Sequence, residues 1–228
     1  MPAWNRSRRL ALAFLGALAG TATAAAPDHP AAIAANGLPS GVPACQACHG
    51  TQGEGNIPAG FPRLAGSGAG YLAAQLAAFA SGQRQSPVMQ PIAAGLTASQ
   101  QAGLARWYAG LGRPAPGVGE IDPSPSQAGA WLAARGRWSA DIPACAQCHG
   151  GRGLGIGDAF PPLAGQPAGY LAAQLQAWKH GTRPPGPQSL MAVIAARLSD
   201  DDVAAVAGYY AGLPADGATP AAPAGATQ

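Results

Sequence analysis

Tyr71, Leu72, Gln75, Leu76 and Phe79 recur at the three- and four-residue spacing of one helix face. Tyr170, Leu171, Gln174, Leu175 and Trp178 repeat that spacing further along the chain. Gly82 and Gly181 follow these runs where a helix would stop. A later helix in each half opens on a capping-box arrangement, Thr97 with Gln100 and Ser199 with Asp202. The acidic run at 200–202 suits the positive end of a helix dipole, so it reads as caps and a solvated face rather than a metal site. Shorter helices are expected at 30–35 and 126–135. No stretch alternates as a strand, so the pattern predicts an all-α chain.

The two sets of helices belong to a duplicated module. VPACQACHG at Val42 returns as IPACAQCHG at Ile142, and FPRLAG at Phe61 as FPPLAG at Phe160. GYLAAQLAAF at Gly70 matches GYLAAQLQAW at Gly169, and LARWYAGL at Leu104 matches VAGYYAGL at Val206. The offset is 100 at the cysteines, 99 at the tyrosines and 102 at the last helices, a drift that short loop insertions explain. Between the copies, residues 112–126 are rich in Pro, Gly and Ser and read as a short, semi-stiff linker. The expected organisation is a signal peptide at 1–25, a first domain at 26–112, a linker at 113–126, a second domain at 127–213 and a disordered tail at 214–228.

Composition changes the picture of the core. Aromatic residues make up 6% of the 228 positions and charged residues 10%, while Gly and Pro number 33 and 23. Large apolar side chains supply most burial energy, and here alanine stands at many positions they would occupy. A bulky apolar group from outside the polypeptide would fill such cores. At the N-terminus, Arg6, Arg8 and Arg9 precede a short apolar run at 10–19 and small residues at 21–26, the layout of an export signal cleaved near Ala24 or Ala25. An uncleaved anchor is the weaker alternative on length. The formal charge of +3 includes those three arginines, so the mature chain balances ten bases against ten acids. Nothing in that balance points to nucleic acid.

All four cysteines lie in Cys-x-x-Cys-His motifs, Cys45, Cys48 and His49, then Cys145, Cys148 and His149. This is the attachment pattern of c-type haem. Two thiols add across the two vinyl groups of the porphyrin, and the adjacent histidine reaches the iron. Disulfides, zinc or a thioredoxin-like dithiol would also use cysteines. None of them accounts for a histidine after both motifs. The expected cofactors are therefore two covalently bound haem c groups.

Apart from Met1, the chain has two methionines, Met89 and Met191, at matching places in the two copies. Methionine is ordinarily an adaptable core filler. One per repeat, on a loop downstream of each motif, points instead to the sixth iron ligand. His29 has no counterpart in the second copy and the counterpart of His180 is Ser81, so both read as surface histidines. The carbonyls of Pro62 and Pro161 are candidate acceptors for the second imidazole nitrogen. Tyr71, Tyr170, Trp107, Tyr108, Tyr209 and Tyr210 are candidates to pack on haem or close its pocket.

These residues together resemble the dihaem cytochrome c4 family. The resemblance runs over about 44–213 and rests on the paired ACxxCHG segments, FPxLAG, GYLAAQL, the downstream Met and the YAGL ends. It implies two tandem class I cytochrome c domains related by pseudo-two-fold symmetry, with haem propionates facing across the interface. It also implies a periplasmic electron carrier, not an enzyme, working toward a terminal oxidase or reductase. The partners would be redox proteins (oxidase, reductase or dehydrogenase), with membrane contact only through their complexes. A cytochrome subunit of a dehydrogenase is the alternative. A dihaem peroxidase-like enzyme would need an open ligand position, which the matching methionines oppose. The chain departs from the repeat at Trp107-Tyr108 against Tyr209-Tyr210, and in the Pro- and Gly-rich stretch at 184–187.

Overall fold

The computed structural model describes Met1 and residues 29–112 and 127–215. The expected signal peptide, the linker at 113–126 and nearly all of the tail lie outside the described residues. Among the described residues there are ten α-helices, five per lobe, and pairing between extended segments is limited to isolated bridges such as Asn56 with Phe61.

In the first lobe the helices are α1 (Pro30–Asn36), α2 (Gln46–His49), α3 (Ala69–Ala80), α4 (Met89–Ala94) and α5 (Ala98–Gly110). In the second they are α6 (Ala128–Arg135), α7 (Ala146–His149), α8 (Ala168–Lys179), α9 (Leu190–Arg197) and α10 (Asp200–Ala211). The pairing repeats: α1 lies on α5 as α6 lies on α10, and α3 touches α4 and α5 as α8 touches α9 and α10. Ile33, Leu72, Leu104, Ala105 and Tyr108 form the heart of the first core. Leu132, Ile142, Val203 and Val206 form one cluster of the second, and Leu171, Ala207 and Tyr210 another. The α6–α10 crossing is close because position 129 is glycine: a Cβ there would lie 2.2 Å from the Ala205 carbonyl oxygen.

Both expected capping boxes form. Thr97 Oγ1 accepts from the Gln100 amide at 3.2 Å, and Ser199 Oγ from the Asp202 amide at 3.1 Å. Asp202 does more than Gln100 can. Its carboxylate also accepts from both terminal nitrogens of Arg137, which tie the start of α10 to the segment after α6. That pairing holds the Asp202 carboxyl below the usual range. A depressed acid stabilises the fold above its unfolded pKa, about 3.9, and loses that contribution as pH falls through the folded value. We expect Asp202→Asn to cost on the order of 1 kcal/mol at pH 7, since solvent screens the 47% exposed Arg137 side chain. The gap in Tm between variant and wild type should shrink from pH 7 to pH 2. A gap that stays constant over that range would sink the assignment.

The lobes meet through polar contacts. Asp158 of the second lobe caps α3 of the first: its Oδ2 accepts from the Gly70 amide at 2.8 Å and its carbonyl from the Tyr71 amide at 3.1 Å. Gln166 pairs with the backbone of Arg63, accepting from its amide at 3.0 Å and donating to its carbonyl at 2.9 Å. The Gln85 amide donates to the Thr182 carbonyl at 3.3 Å.

Candidate functional site

Each Cys-x-x-Cys-His motif forms a single turn of helix that ends on the histidine. Gly50 and Gly150 follow at φ +82°, a conformation open to glycine, and turn the chain back. The loop then folds under the imidazole: Gly55 donates to the His49 carbonyl at 2.7 Å, and the Leu64 amide to the Gly53 carbonyl at 2.8 Å. A Cβ at Gly55 would lie 2.7 Å from the Arg63 nitrogen, so a side chain there would push the loop away from the histidine.

This brings the Pro62 carbonyl 2.8 Å from His49 Nδ1, and the Pro161 carbonyl 2.8 Å from His149 Nδ1. A carbonyl oxygen can only accept, so Nδ1 carries the proton and Nε2 keeps its lone pair. Both rings are 7% exposed, and burial lowers their pKa, which favours the neutral form that a metal binds. Phe61 and Phe160 meet the imidazoles edge-on, each at 6.2 Å, and limit their rotation. The proline carbonyls singled out in the sequence thus orient the two imidazoles in the same way.

The four cysteines are half-buried thiols. Burial pushes the Cys145 thiol up to about 11 and raises Cys45 as well. Among the described residues no three His, Cys, Asp or Glu side chains gather as a metal cluster, so a four-ligand zinc site lacks donors there. The hydroxyls of Tyr108 and Tyr210 lie beside Cys45 and Cys145, buried and without a hydrogen bond of normal geometry. Orphaned polar atoms in the same place in both lobes fit a pocket wall whose inner neighbour is not polypeptide. Trp107 packs edge-on against Tyr108 at 4.6 Å, and Tyr209 against Tyr210 at 5.1 Å.

The methionines sit differently from the expectation. Met89 opens α4 and Met191 is the second residue of α9, so each occupies a first helical turn rather than a loop. Both are half-buried. Ser86 Oγ accepts from the Met89 amide at 3.0 Å and fixes the first turn. Three more residues separate Met191 from Arg183 than separate Met89 from Arg84. The added backbone puts Gln188 and Ser189 at φ +54° and +57°, in the left-handed region, while the Pro184 carbonyl accepts from Trp178 Nε1 at 3.0 Å. His29 and His180 are exposed at helix ends, consistent with surface roles.

Tyr71 and Tyr170 depart from the expected haem contact in one respect: their hydroxyls accept from Arg183 and Arg84 at the lobe junction. Sequence reasoning passed over these two arginines. Their trace was a Gly-x-Arg at the same register in both copies, Gly82 to Arg84 and Gly181 to Arg183. The donor set of each lobe fits a haem c: two thiols three positions apart, an imidazole with a free Nε2, an orphaned tyrosine on the pocket wall and an alanine-rich core.

Comparison with known proteins agrees. The cytochrome c family model matches residues 40–107 and 133–213. The thiosulfate dehydrogenase electron acceptor of Stutzerimonas stutzeri (strain A1501) is 49% identical over 172 residues, covering 75% of this chain and 79% of that protein. Cytochrome c4 of Pseudomonas aeruginosa is 38% identical over 171 residues, 74% of this chain and 83% of that one. Among solved structures, thiosulfate dehydrogenase TsdBA from Marichromatium purpuratum, in its as-isolated form, superposes with a TM-score of 0.74 at 42% identity. The match takes in 82% of this chain and 40% of that longer chain.

Proposed function

The chain belongs to the cytochrome c family, as a dihaem member of the cytochrome c4 kind, and from that premise we propose that it accepts electrons from a dehydrogenase of the thiosulfate-oxidising class and passes them to a reductase or oxidase. It is an electron-transfer protein with two haem c groups. Each haem, when bound, supplies one iron that takes up and releases one electron.

The chain's own residues do the rest. Cys45 and Cys48 hold one haem by thioether bonds, and Cys145 and Cys148 the other. His49 and His149 would ligate through Nε2, steered by the Pro62 and Pro161 carbonyls. Met89 and Met191 would supply a soft neutral thioether, which favours the ferrous state and raises the potential. A lobe that would offer its haem both an imidazole and a thioether would keep substrate off the iron, which supports a carrier rather than an enzyme. The domains run over 26–112 and 127–213, joined by the linker at 113–126. The basic and apolar start at 6–19 supports export to the periplasm. Among the described residues no helix is long and apolar enough to cross a membrane.

The observation that carries this reading is the doubled His–carbonyl pair, each beside a Cys-x-x-Cys turn. The donor class rests on the relative named a thiosulfate dehydrogenase electron acceptor. Two one-electron sites in one chain also suit a donor that releases electrons in pairs. Mixing the oxidised holoprotein with thiosulfate dehydrogenase and thiosulfate in a stopped-flow cell should reduce both haems. Reduction by ascorbate alone, with none by the dehydrogenase, would remove that donor. Similarity to a segment of the TsdBA chain favours a second reading, a resident subunit of such a dehydrogenase. Co-elution of the two proteins in size-exclusion chromatography would separate subunit from diffusing carrier.

A further inference from the structure

Tyr108 and Tyr210 are each 3% exposed, and each holds its hydroxyl in the interior without a hydrogen bond of normal geometry. Phenylalanine would fill the same space and bury nothing polar. A buried hydroxyl that stays unpaired destabilises the fold, yet both copies place tyrosine here, while the aromatic residue before it changes from Trp107 to Tyr209. Neither ring is free to turn away. On one side each lies against a glycine: a Cβ at Gly53 would come 2.7 Å from Tyr108 Cδ1, and one at Gly153 2.6 Å from Tyr210 Cε1. Trp107 and Tyr209 meet the rings edge-on. The main chain is fastened as well, since the Tyr108 carbonyl accepts from the Gly66 amide at 3.1 Å and the Tyr210 carbonyl from the Gly165 amide at 2.9 Å. Packing therefore holds the hydroxyl at one place in each lobe.

That place is beside the first cysteine of each motif. Cys45 packs on the core cluster that contains Tyr108, and Cys145 on the one that contains Tyr210. Cys48 and Cys148 are not among the residues packed on those clusters. Hydroxyl and sulfur interact in both lobes. A thiol sulfur has a proton of its own and can donate or accept. A sulfur bonded to a haem has none, and its lone pairs can only accept. The phenol beside it is a donor without another acceptor of good geometry.

We propose that Tyr108 and Tyr210 are positioning residues for the haems: each donates a hydrogen bond from Oη to the thioether sulfur of the first cysteine of its lobe, Cys45 or Cys145. The inference rests on the two-haem reading above. Its consequence is a second tether. The Cys-His turns α2 and α7 carry the histidines, whereas the tyrosines belong to α5 and α10, the last helix of each lobe. Each haem is then tied to two separate elements of its lobe, and the orientation of its attached edge depends on the last helix as well as on the turn.

The test uses the two-haem holoprotein with its Tyr108→Phe and Tyr210→Phe variants, and haem content per chain is measured first. Fewer than two haems in the wild type would overturn the two-haem reading itself rather than the hydrogen bond. Resonance Raman spectroscopy reads the carbon–sulfur stretch of the thioethers. In the wild type this band should shift after full exchange from H2O into D2O. Each variant should remove part of that shift, and the double variant the whole of it. Absence of an exchange shift in the wild type overturns the proposal without any variant, so it stays refutable where a variant fails to mature. Unfolding in urea supplies an independent sign. Loss of a made hydrogen bond should raise the unfolding equilibrium constant about fivefold, whereas deletion of an unpaired hydroxyl leaves it level or lowers it. A phenylalanine variant as stable as the wild type, or more so, therefore overturns the bond. A less stable variant whose Raman band does not move overturns the sulfur as the acceptor and assigns the hydroxyl to a haem carboxylate or a buried water.

Discussion

Met89→His is expected to lower the reduction potential of one haem by a few tenths of a volt, within the span of about 0.8 V that axial ligands command, and to leave the other near its starting value. A thioether is neutral and soft and stabilises ferrous iron, whereas a second imidazole donates more strongly and favours ferric iron. The effect stays in one lobe because Met89 opens a helix of the first lobe and Met191 belongs to a helix of the second. Met191→His should produce the mirror result. An optical redox titration resolves the two steps, and halving of the sulfur-to-iron charge-transfer band shows that one haem has lost its thioether. Both potentials unchanged in both variants would remove the methionines from the ligand set. The second ligand of each haem would then have to come from elsewhere, with exposed His29 and His180 as candidate nitrogen donors.

Changing Cys145 and Cys148 together to serine should leave one haem per chain and a second lobe without fixed tertiary structure. The reason is what the second core contains. Of the seven residues in the cluster around the Cys-His turn, three are alanines, and Tyr210 buries a hydroxyl beside Cys145 without a hydrogen bond of normal geometry. An unsatisfied buried hydroxyl costs about 1–3 kcal/mol, a large share of what a lobe of this size has in reserve. Without a large apolar body against it, that surface lacks the contacts that hold α8 to α10. Haem absorbance per chain should halve, near-ultraviolet circular dichroism should weaken, and limited proteolysis should open the chain beyond residue 127. A one-haem protein whose second lobe resists protease as wild type does would show that the polypeptide core suffices.

The legibility of this molecule in its sequence follows the range of each signal. Both capping boxes could be read because they are local patterns of four residues, and α3 and α8 because twelve residues show a helical period. The Cys-His turns were legible through chemistry rather than periodicity, since α2 and α7 are four residues long and carry no periodic signal. α4, six residues long, went unread for the same reason, and α9 lay behind the Pro- and Gly-rich stretch at 184–187, so both methionines were expected on loops. The proline carbonyls could be named because a ligating imidazole needs an acceptor and each repeat offers one at similar spacing. Arg84 and Arg183 escaped because arginine is ordinarily a surface residue, and their burial comes from a contact between copies, with partners up to 112 positions away. Duplication made the difference in most of these cases: a feature seen twice in register outweighs one seen once.

The cap that Asp158 places on α3 sets an order of events during folding of the exported chain. Gly70 and Asp158 are 88 positions apart, so in a chain that emerges amino-terminus first the cap arrives long after the helix that it serves. Over that interval every other element of the first lobe has emerged, yet the amides that open α3 have only water as partners. The amino-terminal copy therefore waits with a frayed helix entry for its younger sibling, and its maturation closes from the carboxyl-terminal side. A chain truncated after the first copy is not the same object as that copy within the whole. The duplication has become a sequence of dependent steps rather than two parallel ones.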